Sequence, residues 1–502
     1  MTTDETQRRP ALSDLSAALL VFGSSAAVLV VELVALRLLA PYLGLTLETS
    51  TTVIGIALAA IALGSWAGGQ AADRVDPRRT IGPLLAVSGV AAAATPFVVR
   101  GAAELDRENG LVLVVAAVMI LVPGALLSAV TPMVTKLMLT DLGQTGTIVG
   151  RLSGIGTVGA IVGTVVTGFV LISVVRVSTI LVGLGLALVI AAVVVEVRVR
   201  GWRFGVLPAV LVLGGGLTAA VAPGGCDVET TYHCVSVVPD PQHEGGRTLV
   251  LDGLRHSYVD LTDASNLEFE YIRAMAAAID SRHRDGTALQ AYHLGGGGLT
   301  LPQYLREQRP GTRSLVSEID GGVLRVDTDL LGARTGDDLE VRVEDGRLGL
   351  GRLPDGERDL VVGDAFGGVS VPWHLTTREA LVQVHRVLRP GGTYAVNLID
   401  YGDLGFARSA VRTLQTVFEN VVVLSAAATF DDDGHGGGNL VAVASDGPVD
   451  ADALRSRLED REVPWVVEDG GPLQRWIGDA RVLVDDFAPV DQLLTPSPPR
   501  YG

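Results

Sequence analysis

Charge is scarce in this chain. Asp, Glu, Lys and Arg make up 19% of its 502 residues, against about 25% in an ordinary soluble domain. Mean hydropathy is +0.39, a balance that does not fit an ordinary cytosolic enzyme. Lysine is all but missing. Lys136 is the only one, every other basic residue is Arg, and that is a coding bias without functional content. Cysteine occurs only at Cys226 and Cys234, and the two of them with His233 fit no standard zinc spacing. There is no basic patch and no nucleic-acid motif, and the net charge of −17 repels phosphates, so no nucleic-acid partner is expected. Val, Leu, Ala and Ile are plentiful enough to exclude disorder.

The averages conceal a split. Residues 1–222 hold 14 Lys+Arg and 12 Asp+Glu, a net of +2; residues 223–502 hold 25 and 44, a net of −19, and the two sum to −17. The first part is apolar and nearly neutral, the second acidic and soluble in character. The boundaries read from the sequence are a multi-span membrane domain over 1–222, a linker with a small β-element over 223–265, an α/β domain over 266–492 and a tail over 493–502.

A bilayer-spanning helix needs about 20 mainly apolar residues. Seven stretches qualify: about 15–40, 48–70, 80–99, 110–132, 146–172, 177–195 and 205–222. The first is too long for a secretory signal and reads as a retained span. With the N-terminus inside, the inner loops carry ten Arg or Lys and the outer loops three, Arg100, Arg107 and Arg176, which orients the chain. Glu32 and Arg37 fall inside the first span, where a central charge costs at least ~2.5 kcal/mol; they are expected to pair with each other or a neighbouring helix, with Arg37 snorkelling outward, the alternative being a proton or substrate path. Gly64/Gly68 and Gly159/Gly163 predict close helix contacts. Pro132 predicts a kink or an end.

The cysteines sit in GGCDVETTYHC, just after the seventh stretch. Seven spans place this segment outside, where disulfides persist, so Cys226 and Cys234 are candidates for a disulfide, with two buried thiols as the alternative. The same count puts the acidic half outside the membrane, whereas the ligand inferred below is normally cytosolic; a miscounted span, a domain that acts outside and a different ligand are the alternatives.

That half begins with RTLVL and HSYVDL flanking Asp252-Gly253, a hairpin-turn dipeptide. A helix over Phe269 to Asp280 follows, and then strands alternate with helices: Ala288 to Leu294, a glycine run 295–298, a helix over 299–308, and strands at Arg313 to Ile319, Leu339 to Val343, Asp359 to Val362 and Thr393 to Leu398. Parallel α/β sheets bind ligands beyond the carboxyl ends of their strands. Gly295 and Gly297 let the backbone approach a nucleoside. Glu318 ends the second strand and can accept both ribose hydroxyls. Asp345 and Gly346 follow the third strand, where an adenine amino group would lie. Asp364 follows the fourth and faces the reacting end. This set favours an S-adenosylmethionine-type pocket over a dinucleotide site.

These residues resemble the polyamine aminopropyltransferase (spermidine synthase) family, in the bacterial form fused to a multi-span membrane region. LDGLRHS, HLGGGG, SEID, EDG and GDAF occupy the positions of the family's motifs, and VVELVALRLLAPYLG and VLVDDFAPVDQLL resemble the fused form. The resemblance implies an α-helical transmembrane bundle followed by a Rossmann-like, methyltransferase-type α/β domain. It also implies S-adenosylmethionine or its decarboxylated form as co-substrate, with no permanently bound cofactor or metal. The implied partners are a nucleoside, a polyamine and the lipid bilayer; a homo-oligomer is compatible with it. The departures are specific. Gly367 stands where the resemblance places the general base, Gly298 where the family has Asp, and His256 where it has Gln. Tyr271-Ile272-Arg273 puts a cation in the amine-acceptor segment. Asp364 and His256 are therefore the candidate catalytic groups, with His374 a further candidate. The expected activity is transfer of an aminopropyl or other group from a sulfonium nucleoside; the alternative is a non-catalytic transporter or sensor with a degenerate synthase-like domain.

Overall fold

The computed structural model describes residues 12–43, 47–105, 110–139, 142–200, 226–366, 372–431 and 436–495. The seventh apolar stretch, Gly367 and the end of the tail lie outside them. The chain divides into two compact units, one helical and one α/β, with the second beginning at Cys226.

Six helices among the described residues are long and apolar enough to cross a membrane, with mean hydropathies of 1.7 to 2.8. Small residues set how closely they pack. The helix Asp14–Leu43 runs against Thr145–Val166. A β-carbon at Gly159 would run into the Phe22 carbonyl, and one at Gly163 would lie 2.7 Å from the Ala26 carbonyl. Likewise a β-carbon on Gly68 of Leu47–Arg74 would lie 2.6 Å from the Ala129 α-carbon. The fourth span is interrupted as expected of Pro132: helix Gly110–Ser128 breaks at Ala129 and restarts as Val130–Met138, because Pro132 has no N–H for the Ser128 carbonyl. Pro132 then lies in a first helical turn, where its missing N–H breaks no bond.

The α/β unit starts with a four-stranded antiparallel sheet, β1 (Val228–Glu229), β2 (Cys234–Pro239), β3 (Gly246–Leu251) and β4 (Leu254–Asp260), in the order β1-β2-β3-β4. Asp252 and Gly253 connect β3 to β4 with φ of 51° and 80°, both left-handed, as a tight two-residue hairpin requires. Val235, Leu249, Leu251 and Val259 pack on Val323 and Val326 of the helix Gly321–Asp329.

The large sheet contains β5 (Gln290–Leu294), β6 (Arg313–Glu318), β7 (Leu339–Val343), β8 (Arg358–Gly363), β9 (Leu388–Tyr401), β10 (Asn420–Ala426), β11 (Gly437–Ser445) and β12 (Trp465–Glu468). Its order is β12-β10-β11-β9-β8-β5-β6-β7. The run from β9 to β7 is parallel; β11, β10 and β12 pair antiparallel. Alternate residues face alternate layers of helices. Tyr292, Leu294, Val361, Val421 and Val423 enter one core; Ala291, Leu360, Val362, Val422 and Leu424 enter the other. Burial on both faces explains why these strands read as continuous apolar runs. The Arg389-Pro390-Gly391-Gly392 turn expected before the fifth strand lies inside β9, where pairing with β8 shifts register between Arg358 and Leu360.

The chain builds outward through β6 and β7, then returns to place β8 on the other side of β5. That reversal opens a crevice at the carboxyl ends of β5 and β8.

The helix packing gives a direct test. Gly159→Leu is expected to lower thermal stability in detergent by about 1–3 kcal/mol through overpacking. Gly154→Leu on the same helix, where nothing lies within 4 Å of an added β-carbon, should leave the melting temperature within a degree or two.

Candidate active site

Gly295 leaves β5 with φ 95°, and a β-carbon there would strike the Asp364 backbone carbonyl. Only glycine meets both conditions. The Asp364 N–H donates to the Leu294 carbonyl at 2.9 Å, so the two strand ends hold each other across the reversal. A β-carbon on Gly297 would lie 3.7 Å from Leu249 of the small sheet.

The Asp364 carboxylate is gripped from two sides. Asn397 Nδ2 donates to Oδ1 at 2.9 Å and the Tyr271 hydroxyl to Oδ2 at 3.2 Å. Asn439 in turn holds the Asn397 side-chain oxygen at 2.9 Å. Burial raises the Asp364 pKa to about 6, with the Asn397 and Tyr271 hydrogen bonds working against that rise. The Tyr271 hydroxyl is pushed well above its ordinary value by burial and by Asp364, so it stays a donor. A carboxylate titrating near neutrality is poised to take up a proton.

His256 meets this group through its backbone. Its carbonyl lies 3.4 Å from the Tyr271 hydroxyl, while its ring faces His233 with centroids 6.3 Å apart. Burial, with the neighbouring His233, lowers its pKa to about 4, which makes it a much weaker base than Asp364. Arg273, expected to put a cation in the acceptor segment, instead donates to the Arg461 carbonyl at 3.3 Å. Two residues along a helix from Tyr271, its side chain leaves in another direction.

The other strand tips carry the second acidic group. Glu318 is 8% exposed, its Oε2 accepting the Gly296 N–H and its Oε1 the Asp320 N–H, each at 2.8 Å. Burial raises its pKa despite both bonds. Asp345 caps the helix Gly346–Gly351 through Leu348 N–H at 3.0 Å, and His374 Nε2 lies 2.9 Å from its second oxygen. Burial pushes the Asp345 pKa up, but the Leu348 amide and His374 outweigh it and the net shift is down. His374 is thus engaged with Asp345. The Gly346 carbonyl accepts from the Tyr292 hydroxyl at 3.1 Å. Cys226 and Cys234 are joined in a disulfide with Cα atoms 5.6 Å apart, so neither sulfur is a thiolate metal ligand.

Three contributors escaped the sequence reading. Asn397 lies near the end of β9, and its strand position was the only available signal. Asp327, fully buried, accepts the Gly298 N–H at 3.0 Å. Gly298 has φ 77° with the Ser257 hydroxyl where a side chain would begin. A carboxylate offered by Asp327 from the neighbouring helix thus serves a loop position that cannot carry its own. Asp320 caps the helix Gly321–Asp329 through the Gly322 N–H at 2.8 Å.

This architecture is a Rossmann-like, methyltransferase-type α/β domain with acids at successive strand tips. In sequence the chain is 27% identical over 236 residues to the polyamine aminopropyltransferase of Chromobacterium violaceum, spanning 45% of this chain and 82% of the relative. It is 27% identical over 218 residues to that of Vibrio vulnificus, spanning 40% and 68%. No family model matches. Among solved structures, a probable spermidine synthase from Corynebacterium glutamicum is 27% identical with a TM-score of 0.48, covering 53% of this chain and 97% of its own. The spermidine synthase from Thermotoga maritima is 19% identical with a TM-score of 0.35, covering 55% and 84%. The chain is thus similar to polyamine aminopropyltransferases over about half its length.

The site has a stability signature. A folded-state pKa near 6 against 3.8 in the unfolded chain means that the ionised Asp364 opposes folding above pH 6. Asp364→Asn should therefore stabilise the protein at pH 8 by about 3 kcal/mol at most, with the gain shrinking as pH falls from 6 and vanishing below pH 4. Thermal melts across that range check it.

Proposed function

We propose that the chain is a membrane-embedded, spermidine-synthase-like transferase that moves an aminopropyl group from decarboxylated S-adenosylmethionine to an amine. The observation carrying this reading is Asp364, a carboxylate with a pKa near 6 at the sheet reversal, oriented by Tyr271 and Asn397. The 27% identity to two polyamine aminopropyltransferases supports the substrate class. In this reading Glu318 takes the ribose hydroxyls, and Asp345 the adenine amino group in exchange for His374.

In the proposed step a neutral amine nitrogen attacks the aminopropyl methylene bound to the sulfonium. The new C–N bond forms as the C–S bond breaks, and its electron pair returns to sulfur, giving methylthioadenosine. The amine proton passes to Asp364. Tyr271 keeps the receiving oxygen aimed at the acceptor and, because it is not itself ionised, adds no competing negative charge. A positioned base is typically worth 10²–10⁴-fold.

The full chain incubated with decarboxylated S-adenosylmethionine and putrescine is expected to release methylthioadenosine and spermidine one for one. Its kcat/KM should have a limb near pH 6. Asp364→Asn should lose about 10²–10⁴ in rate. Tyr271→Phe removes a bond that lowers the Asp364 pKa, so its limb should move to higher pH. Failure to consume putrescine under any condition would defeat the aminopropyl reading.

The excess of Arg and Lys in alternate loops supports an N-terminus inside and the α/β unit outside. Cys226 and Cys234 in intact cells should then react with a membrane-impermeant maleimide once an impermeant phosphine has reduced them. Labelling confined to lysed cells would reverse this placement.

A further inference from the structure

The loop between the two cysteines lies against the strand tip that carries Glu318. Thr230, 6% exposed, reaches the buried Asp320 carboxylate through its hydroxyl, and the Tyr232 N–H donates to the same oxygen at 3.2 Å. The fit is close: a β-carbon on Gly322 would lie 2.5 Å from Thr230. Asp320 donates its own N–H to Glu318 Oε1 at 2.8 Å. A continuous set of bonds therefore runs from the disulfide loop through Asp320 to the ribose acid. A second arm closes the loop from the hairpin side. Asp252 accepts the Cys234 N–H at 2.9 Å and holds His233 Nδ1 at 2.8 Å. Within the loop, Thr230 N–H donates to the His233 carbonyl at 2.8 Å.

We propose that this disulfide-closed loop is a working wall of the nucleoside site: Thr230 and the Tyr232 amide position Asp320, and through it Glu318, so that ribose binding depends on the Cys226–Cys234 bond. The inference rests on the nucleoside reading of Glu318. The physical reason is preorganisation. Two hydrogen bonds to a buried carboxylate hold only while the loop offering them is confined, and the cross-link supplies that confinement. A dithiol reductant gives two electrons and two protons to the bond, yields two thiols and is itself oxidised to a disulfide. The freed loop then gains conformations in which Thr230 no longer reaches Asp320. Thr230 and Asp320 are positioning residues here; neither touches the reacting atoms.

With only two cysteines in the chain, reduction is read without ambiguity. Methylthioadenosine is titrated calorimetrically into the full chain in detergent, once oxidised and once reduced with dithiothreitol, the two thiols being counted by mass. The reduced chain is expected to bind about tenfold more weakly, the scale of a lost hydrogen bond to a charged group. Thr230→Val with the disulfide intact should weaken binding similarly with an unchanged circular dichroism spectrum, and Thr230→Ser should restore it. Equal affinity in both redox states, or a Thr230→Val protein that binds as tightly as the parent, overturns the proposal while leaving the nucleoside reading standing. No binding by the oxidised chain overturns both.

Discussion

Everything chemical in this molecule depends on the reversal between β5 and β8. The parallel sheet grows outward from β5 through β6 and β7 and resumes at β8 on its other side. At that seam Gly295 admits the Asp364 backbone, and the Asp364 N–H closes on Leu294. The backbone bond fixes where the carboxylate emerges; Tyr271 and Asn397 fix how it points. Each comes from a different element, the helix Glu270–Arg282 and β9, so the acid is held by tertiary structure and not by its own loop. Loss of water around it raises its pKa, and the same loss opposes folding. A site that must keep a reactive acid near neutrality accepts that opposition.

The glycine-loop end of the crevice obeys a different rule. Glu318 and Asp327 are both buried acids whose bonded partners include backbone amides of the glycine loop, Gly296 and Gly298. Amide donors do not titrate, so they hold the loop closed without adding charge. Asp345, more exposed, is met by an imidazole, a partner that a ligand can displace.

Much of the fold was legible in the sequence because the large sheet is buried on both faces. The strand around 361 showed as a short apolar run, and Asp364 stood out just beyond it. The Asp-Gly dipeptide at 252–253 marked its hairpin because few other residues tolerate two left-handed positions. Less visible was whatever depends on residues meeting across long separations. Asn397 is an ordinary strand residue until β9 lies beside β8. Asp327 is an ordinary helical acid until Gly298 turns toward it. Arg273 looked like a cation in the acceptor site because spacing along a helix says nothing of where a long side chain ends.

The most direct test of the strand-tip account is nucleoside binding by the full chain in detergent, parent against Glu318→Gln. Saturable one-to-one binding of methylthioadenosine by the parent, weakened at least tenfold in the variant, is the outcome the geometry requires. Indifference to the substitution, or no uptake of methylthioadenosine, S-adenosylmethionine or its decarboxylated form, would contradict it.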